Sequence, residues 1–334
     1  MTIRPIRTLL AVAAVASLYL TSPALAQEAA PSPTRPGILL LAHGGSGAWD
    51  ANVLAIARAV DAVYPTEVAF GMATRANIQA AAERLAGRGV SEIVAVPLFV
   101  SSHSSVVRAT EYLLGLREDA PRELAIFAKM SHGAAVSHGA AAPHPGGAPH
   151  ANGASNGHHA DAARGGHAGH TDRDEGTTPI EVDLPIRMTA ALNSHPILGS
   201  ILVDRAREIS RAPSREAIIL VAHGPTSDAD NAKWLADLRT LATHLEGFAS
   251  VDVFSLRDDA QAPVRDQATA ELRAKVEDAR AAGRDVLIVP VLLSYGGIER
   301  GLKTRLEGLE YRLPSQGIAP DARLSDWVIA AVGR

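Results

Sequence analysis

Residues 38–47 read ILLLAHGGSG, an unbroken apolar run that ends abruptly in His43 and a glycine-rich turn. An apolar run without polar alternation is typical of a strand that is buried on both faces, as in a parallel sheet covered by helices. The ligand crevice of such a sheet lies beyond the carboxyl ends of its strands, beside the point where the strand order reverses. His43 therefore stands where folds of this class bind ligands.

The same strand and turn occur a second time. Residues 217–225 read AIILVAHGP, and His223 takes the position of His43. Further along each unit, residues 93–101 (IVAVPLFVS) correspond to residues 286–294 (VLIVPVLLS). This repetition indicates an internal duplication, with two units built in the same order.

Apolar runs alternate with helical periods throughout both units, which predicts an α/β fold of two tandem, flavodoxin-like doubly wound domains. Each is expected to have a small, mainly parallel sheet flanked by helices. We predict a first domain at 37–212 and a second at 213–334, in a monomer with pseudo-symmetry. The predicted strands are 38–42, 67–72, 92–100, 124–130, 184–190, 218–222, 251–255 and 285–293. The predicted helices are 50–63, with Asp50 as N-cap, 76–88, 104–116, 197–209, 228–245, 264–281, 298–309 and 324–332.

The first 26 residues have the pattern of a signal peptide, with Arg4 and Arg7, an apolar segment at 8–20 and the small-x-small triplet Ala-Leu-Ala at 24–26. We expect a periplasmic or exported protein. A retained anchor is the alternative, and the protein is cytoplasmic if this segment is not a leader. The apolar segment is too short for an ordinary membrane span, and no later segment reaches that length, so the mature chain should have no integral membrane domain. Residues 27–36 read as a linker.

Composition narrows the possible chemistry. The formal net charge is −4, and no basic face indicates a nucleic-acid partner. Cysteine is absent, which excludes disulfides, thiolate nucleophiles and thiolate metal sites. Any metal chemistry must therefore use histidine and carboxylate ligands.

His103 follows the predicted third strand, in the segment FVSSHSS at 99–105. In a flavodoxin-type sheet the first and third strands are neighbours, about 4.8 Å apart, so His43 and His103 can converge on one ligand. Imidazole can accept a proton or hold a divalent metal near neutral pH. For a single histidine after a strand, a capping role is the alternative. The second unit has Gly296 in place of His103, so we expect His223 to be structural or to form the opposite wall of the cleft.

Residues 131–178 are rich in Gly, Ala, Pro and His and have no apolar period, so we expect a disordered insertion within the first domain. Its histidines could together hold several Ni, Co, Cu or Zn ions loosely, and a compositional linker without a role is the alternative. The candidate metal-binding histidines of this segment are His132, His138, His144, His150, His158, His159, His167 and His170.

The segment LAHG at 41–44, the strand VPLF at 96–99 leading to His103, and NSHPIL at 193–198 resemble the class II chelatases of sirohydrochlorin type, the cobaltochelatases and ferrochelatases of tetrapyrrole biosynthesis. The resemblance covers nearly all of the mature chain except the insertion. It implies that two modules enclose a macrocycle, with His43 and His103 as the metal-binding and proton-accepting pair. Co²⁺ is the expected metal substrate, with Ni²⁺, Fe²⁺ or Zn²⁺ as alternatives. Ser101 and Ser102 replace a glycine pair often seen in that family, and residues 104–107 lack an expected acid, which leaves the choice of substrate open.

Two functions follow from this pattern: a chelatase acting on a sirohydrochlorin-type tetrapyrrole, or an exported metal buffer or metallochaperone that kept the fold without turnover. A histidine-dependent hydrolase is a weaker third, because no G-x-S-x-G nucleophile motif lies near His43 or His103. Arg75, Arg108 and Arg257 are possible partners for substrate carboxylates. Glu111 is either a helper in proton removal or part of the solvated surface.

Overall fold

The structure is a computed structural model and describes residues 35–134 and 176–333. Strands are followed by helices in both repeated units, as the sequence pattern predicts. The strands are β1 (Pro36–Ala42), β2 (Thr66–Phe70), β3 (Glu92–Pro97), β4 (Ile186–Met188), β5 (Glu216–Ala222), β6 (Ser250–Ser255) and β7 (Asp285–Val291). The helices are α1 (Gly47–Asp61), α2 (Arg75–Gly87), α3 (Ser105–Leu113), α4 (Leu124–Ala134), α5 (Pro196–Ile209), α6 (Asp228–Ala242), α7 (Ala262–Ala281), α8 (Gly297–Arg305) and α9 (Arg323–Val332). A short 3-10 helix at Pro213–Arg215 precedes β5.

The strands form two parallel sheets, in the orders β2-β1-β3-β4 and β6-β5-β7. Strand order reverses between β1 and β3 and, equivalently, between β5 and β7. Beside β7, an isolated parallel bridge between Leu287 and Arg312 takes the place that β4 has beside β3. The predicted fold class, two small parallel sheets flanked by helices, is confirmed. The carboxyl ends of β1 and β3 consequently lie next to each other at one edge of the first sheet.

The apolar runs of β1 and β5 are buried on both faces, as their lack of alternation predicts. Leu39 and Leu40, on opposite faces of β1, are both fully buried. Complete burial of one such side chain contributes about 1.5–3 kcal/mol, so these strands anchor two layers at once. One face of β1 packs with α2, α3 and α4, and the corresponding face of β5 packs with α7 and α8.

The other faces of the two sheets share one core. A continuous apolar cluster joins β1 and β3 to β5 and β7 through the helices α1, α5, α6 and α9. The contacts cross between the halves, because α5 packs against β7 and α9 packs against β3. All described residues belong to one compact unit. The division into two domains between residues 212 and 213 stays a prediction, and the two halves share one core.

One predicted element is wrong. Residues 124–130, expected as a strand, belong to helix α4. A short apolar run does not distinguish a strand from a buried helix, and this one contains Leu, Ala and Met, which favour helix. The buried residues Leu124, Phe127 and Ala128 follow the helical spacing of i, i+3 and i+4, while Ile126 is exposed.

The beginning of α1 also differs from its prediction. Ser46 is the N-cap, and its Oγ accepts the N–H of Trp49 at 3.4 Å. Asp50, expected as the cap, lies inside the helix, where its Oδ1 accepts the N–H of Gly45 at 2.8 Å. The carboxylate therefore fixes the glycine turn after His43 instead of capping the helix. The other predicted helices and strands occur, with ends shifted by a few residues.

Several predictions fall on other parts of the chain. The leader at 1–26, most of the linker and the insertion from residue 135 to 175 lie outside the described residues. Helix α4 extends to Ala134, four residues into the predicted insertion. Within 35–134 and 176–333, none of the helices is long and apolar enough to cross a membrane.

Candidate functional site

His43 immediately follows β1 and stands on an exposed turn. Its Nδ1 lies 2.8 Å from the carbonyl oxygen of Gly44, which has a φ of +83°. A carbonyl can only accept a hydrogen bond, so we assign the proton to Nδ1 and the lone pair to Nε2. Histidines that bind metals commonly donate their other ring N–H to such a carbonyl, which fixes the tautomer and the orientation of the ring. His43 is thus prepared to offer Nε2 as a base or a ligand.

His103 lies in the loop between β3 and α3, and the second half of the chain holds it. The indole Nε1 of Trp234, on α6, donates to the carbonyl oxygen of His103 at 2.7 Å. Asp237, one turn further along α6, places its Oδ2 3.9 Å from Nε2 of His103. The side chain of His103 is 34% exposed, so the imidazole remains accessible from solvent.

The carboxylate of Asp237 has an oxygen that is buried and makes no hydrogen bond to any described residue. At 3.9 Å, the contact with His103 is an ion-pair distance and is too long for a hydrogen bond. Burying a carboxylate oxygen without a partner is costly. The arrangement therefore fits a cation at this position, either a protonated imidazole or a metal ion between the two side chains.

The two serines before His103 fix its loop. Ser101 Oγ accepts the N–H of His103 at 3.1 Å. Ser102 donates its N–H to Oδ1 of Asn193 at 2.7 Å, and its Oγ accepts the N–H of Ala191 at 2.8 Å and Nδ2 of Asn193 at 3.1 Å. Because β3 and β4 are parallel neighbours, both loops leave the same edge of the sheet. Ser102 thus joins the His103 loop to the segment that follows β4.

A cavity of about 590 Å³ adjoins this connection. It is lined by residues 187–196, from β4 to the beginning of α5, and is closed by Trp327 and Ala331 of α9. His43 and His103 are not among its lining residues, whereas His195 is. His195 caps α5, with its Nδ1 accepting the N–H of Ile197 at 3.2 Å. The cavity size is that of a small-molecule site, between about 300 and 1,000 Å³.

His223 has a partner that the sequence reading missed. Its Nε2 lies 3.5 Å from Oδ2 of Asp259, in the loop after β6. Burial alone would lower the pKa of His223, but Asp259 and the nearby charge of Asp258 outweigh burial and raise this pKa. The hydrogen bond to His223 lowers the pKa of Asp259, and the charge of His43 contributes in the same direction. His223 is therefore paired with a carboxylate that also interacts electrostatically with the first half of the chain.

His43 directly follows β1 and His103 lies in the loop between β3 and α3, so the two histidines follow adjacent strands and have different immediate environments. Their use of one common ion stays a prediction. Within the described ranges, no three His, Asp or Glu side chains form a preassembled metal site. His132 lies on helix α4. The other histidines proposed for the insertion lie outside the described residues: His138, His144, His150, His158, His159, His167 and His170.

The arginines considered as carboxylate partners already have protein acceptors. Arg75 donates to the carbonyls of Thr178 and Pro179. Arg108 donates to the carboxylate of Asp230. Arg257 donates to the carbonyls of Pro225 and Thr226 and to the carboxylate of Asp228. Glu111 lies 3.8 Å from Arg117 on the partly exposed face of α3. These four side chains consequently have protein partners already.

The first of the two parallel sheets thus carries histidines in the loops that follow two adjacent strands, β1 and β3. Residues 37–132, which include His43 and His103, match the family model CbiX. The predicted resemblance to the class II chelatases is confirmed.

The solved structures that resemble the chain are distant in sequence. One is described as SirB from Bacillus subtilis with Fe³⁺; it has 15% identity and a TM-score of 0.53, and the match covers 90% of this chain and 95% of that one. Another is DR2241 from Deinococcus radiodurans, described as a multi-domain protein with structural similarity to chelatases and two additional domains. It has 17% identity and a TM-score of 0.45, with 89% of this chain covered. The match spans about half of that protein, 54% of its length. No curated protein matches the chain significantly.

Proposed function

We propose that the protein inserts a divalent metal ion into a sirohydrochlorin-type tetrapyrrole, with Co²⁺ as the first candidate and Ni²⁺ or Fe²⁺ as alternatives. The observation that carries the proposal is the placement of His43 and His103 at adjacent strand ends, within the segment that matches CbiX. The buried, unpartnered oxygen of Asp237 beside His103 supports it, because that position favours a cation.

The reaction replaces two pyrrole N–H protons by one M²⁺ ion and releases two protons. Neutral imidazole suits both parts of this exchange, since it accepts protons near neutral pH and is a borderline ligand for Co, Ni, Fe and Zn. His43 would offer Nε2, because its Nδ1 is occupied by the carbonyl of Gly44. His103 would act with Asp237, whose negative charge offsets the charge of an approaching ion or of a protonated ring.

The cavity beyond β4 would hold part of the macrocycle or its carboxylate substituents. It lies at the same edge of the sheet as the two histidines and is tied to the His103 loop through Ser102 and Asn193. Its lining combines the apolar Trp327 and Ala331 with polar residues such as Thr189 and Ser194. Mixed linings of this kind bind organic ligands with a few orienting polar contacts.

The decisive experiment measures metal insertion into sirohydrochlorin by absorbance, with Co²⁺, Ni²⁺ and Fe²⁺ in parallel. Replacing His43 or His103 by Ala should lower the rate by about 100-fold or more, the usual effect of losing a positioned base. His244→Ala is the matched control, because it removes an exposed histidine that follows α6. Equal rates for wild type and both site variants would contradict the proposal.

The exported metal buffer is the second candidate, and the eight histidines of residues 131–178 favour it. Deleting residues 135–175 removes seven of these histidines and leaves every described residue in place. A buffer should lose most of its bound Co²⁺ or Ni²⁺ on deletion and show no insertion activity before it.

We also propose that the protein acts outside the cytoplasm. Periplasmic protein should then begin at Gln27, and a full-length cytoplasmic chain would contradict this.

A further inference from the structure

We propose that His223 and Asp259 form a second binding position for a divalent transition-metal ion, in the second half of the chain. The inference deepens the proposed function and rests on it for the identity of the ion. The position would take the ion on its way to, or from, the histidines of the first half.

The two side chains occupy matched strand ends. His223 follows β5, Asp259 lies in the loop after β6, and these parallel strands are paired up to Ala222 and Ser255. Nε2 of His223 and Oδ2 of Asp259 are 3.5 Å apart. Two ligands of one tetrahedral ion, with bonds of about 2.0–2.2 Å, are separated by roughly 3.4 Å. Imidazole nitrogen and carboxylate oxygen also form a suitable ligand set for Co²⁺, Ni²⁺, Fe²⁺ or Zn²⁺.

The turn after His223 resembles the turn after His43. The backbone of Gly224 contributes to the raised pKa of His223, and Nδ1 of His43 lies 2.8 Å from the carbonyl oxygen of Gly44. The two glycines share a left-handed conformation, with φ of +76° and +83°. A ring held by a backbone contact presents its other nitrogen in a constant direction, which is the usual support of a metal-binding histidine.

The turn that carries Asp259 is built on a strained residue. Arg257 has a φ of +53°, a conformation that a side chain disfavours by about 1–3 kcal/mol. Its guanidinium stabilises the turn by donating to the carbonyls of Pro225 at 2.8 Å and Thr226 at 2.6 Å. Asp258 is held by Arg305, whereas Asp259 turns towards His223 and keeps 60% of its side chain exposed. An exposed carboxylate beside a fixed imidazole is open to an incoming ion.

His43 supplies the connection to the first half. Its charge acts on Asp259. Nδ2 of Asn52, on α1, donates to Oγ of Ser294, after β7, at 2.9 Å, so α1 of the first half contacts the loop that follows β7 in the second. Because the described residues hold no group of three converging ligands, the position is suited to passing an ion on rather than to retaining it. Open coordination positions are typical of metals that must exchange ligands.

Anomalous scattering from crystals of the full chain soaked in Co²⁺ tests the position directly. We expect a Co²⁺ peak within bonding distance of Nε2 of His223 and a carboxylate oxygen of Asp259. Ions bound at His43 or His103 with no peak at His223 would overturn the inference. This readout does not need turnover, so it remains decisive if the protein inserts no metal and the proposed function fails.

A second measurement uses variants in solution. His223→Ala and Asp259→Asn should raise the KM for Co²⁺ by about 10-fold in the insertion assay, with kcat at saturating metal retained. His244→Ala and Asp266→Asn are matched controls at exposed positions. An unchanged metal dependence in both site variants would also overturn the inference. Loss of kcat without a change in KM would do the same, since it would indicate a role in chemistry or folding only.

Discussion

His103 has two polar partners in the second half of the chain. Trp234 and Asp237, both on α6, hold its backbone and face its ring. Helix α6 of the second half therefore supports the candidate site of the first half.

Replacing Asp237 by Asn tests this support. The change keeps the shape of the side chain and removes the charge that faces Nε2 of His103 at 3.9 Å. We expect Co²⁺ to bind the site about 10-fold to 100-fold more weakly, the usual cost of losing a partner of a metal-binding histidine. The measurement is the KM for metal in the insertion assay. Asp266→Asn, an exposed change on α7, is the control. Wild-type KM in the Asp237 variant would show that its charge does not act on the ion.

The two carboxylates beside histidines differ in how far the sequence could reveal them. Asp259 follows β6 at the same edge where His223 follows β5, so the argument that paired His43 with His103 could have paired these two as well. Asp237 lies in the middle of a helix and has no such signal. Its contact with His103 arises only when the helix of one half docks on the sheet of the other, and the periodicity within either half contains no information on that docking.

At the scale of elements, the two glycine turns after β1 and β5 set the direction of the histidines. Gly44 and Gly224 both have positive φ, which disfavours any other residue. A Cβ on Gly44 would meet only ordinary contacts with Phe70 at 3.5 Å. A Cβ on Gly224 would lie 1.8 Å from Oγ of Ser255 and 3.2 Å from the backbone nitrogen of Arg257.

Gly224→Ala should therefore destabilise the protein more than Gly44→Ala. The backbone term alone is about 1–2 kcal/mol in each turn, and Gly224 adds a steric clash. Denaturant unfolding of the two variants and wild type measures the difference. Replacing Ser255 by Ala in the Gly224 variant should recover part of the loss, since it removes the nearest clashing atom. Equal destabilisation by the two glycine changes would contradict this account.

The beginning of β5 carries a buried carboxylate that makes stability depend on pH. Burial opposes the ionised form of Glu216, but hydrogen bonds from Ser210, the N–H groups of Arg211 and Ala212, and Arg312 outweigh burial and lower its pKa to about 2. Because the folded-state pKa lies below the ordinary value of 4.5, the stabilisation is fully present above pH 4.5. It is lost as the pH falls from there towards 2.

Glu216→Gln should lower the free energy of unfolding at neutral pH by on the order of 3 kcal/mol, because it leaves Arg312 without its buried partner. The difference from wild type should shrink between pH 4.5 and pH 2, where the wild-type carboxylate becomes neutral as well. Denaturant unfolding at a series of pH values measures both effects. A constant difference across this range would exclude Glu216 as the source of the acid sensitivity.

The elements that the sequence predicted best are those with the strongest repetition. Four of the strands come from these repeats: the apolar runs before His43 and His223 and the paired segments around Pro97 and Pro290. Their side chains are apolar without alternation, which is the pattern of a strand buried on both faces. Helix α4 was mistaken for a strand because a short, mostly apolar run fits either structure, and the choice depends on packing against α3. The sequence alone does not show which element packs against residues 124–130.

For the whole molecule, the shared core makes the two halves depend on each other. Arg205, on α5, is buried and donates to the carbonyls of Gly317 at 2.7 Å and Ile318 at 3.3 Å in the second half. It also faces Asp321 at 3.9 Å. Neither half can retain its inner layer alone, because α5 covers β7 and α9 covers β3.

We therefore expect one cooperative unfolding transition, even though the sequence repeats as two modules. Calorimetry should give a single peak, and hydrogen exchange in β1 and β5 should report the same free energy of opening. Arg205→Met should lower the stability of both strands together by about 1–3 kcal/mol, since it leaves buried carbonyls unsatisfied. Two resolved transitions, or a loss confined to one strand, would mean that the modules fold independently. The site would then be assembled by docking two finished domains, and the partnership of Asp237 with His103 would depend on that docking alone.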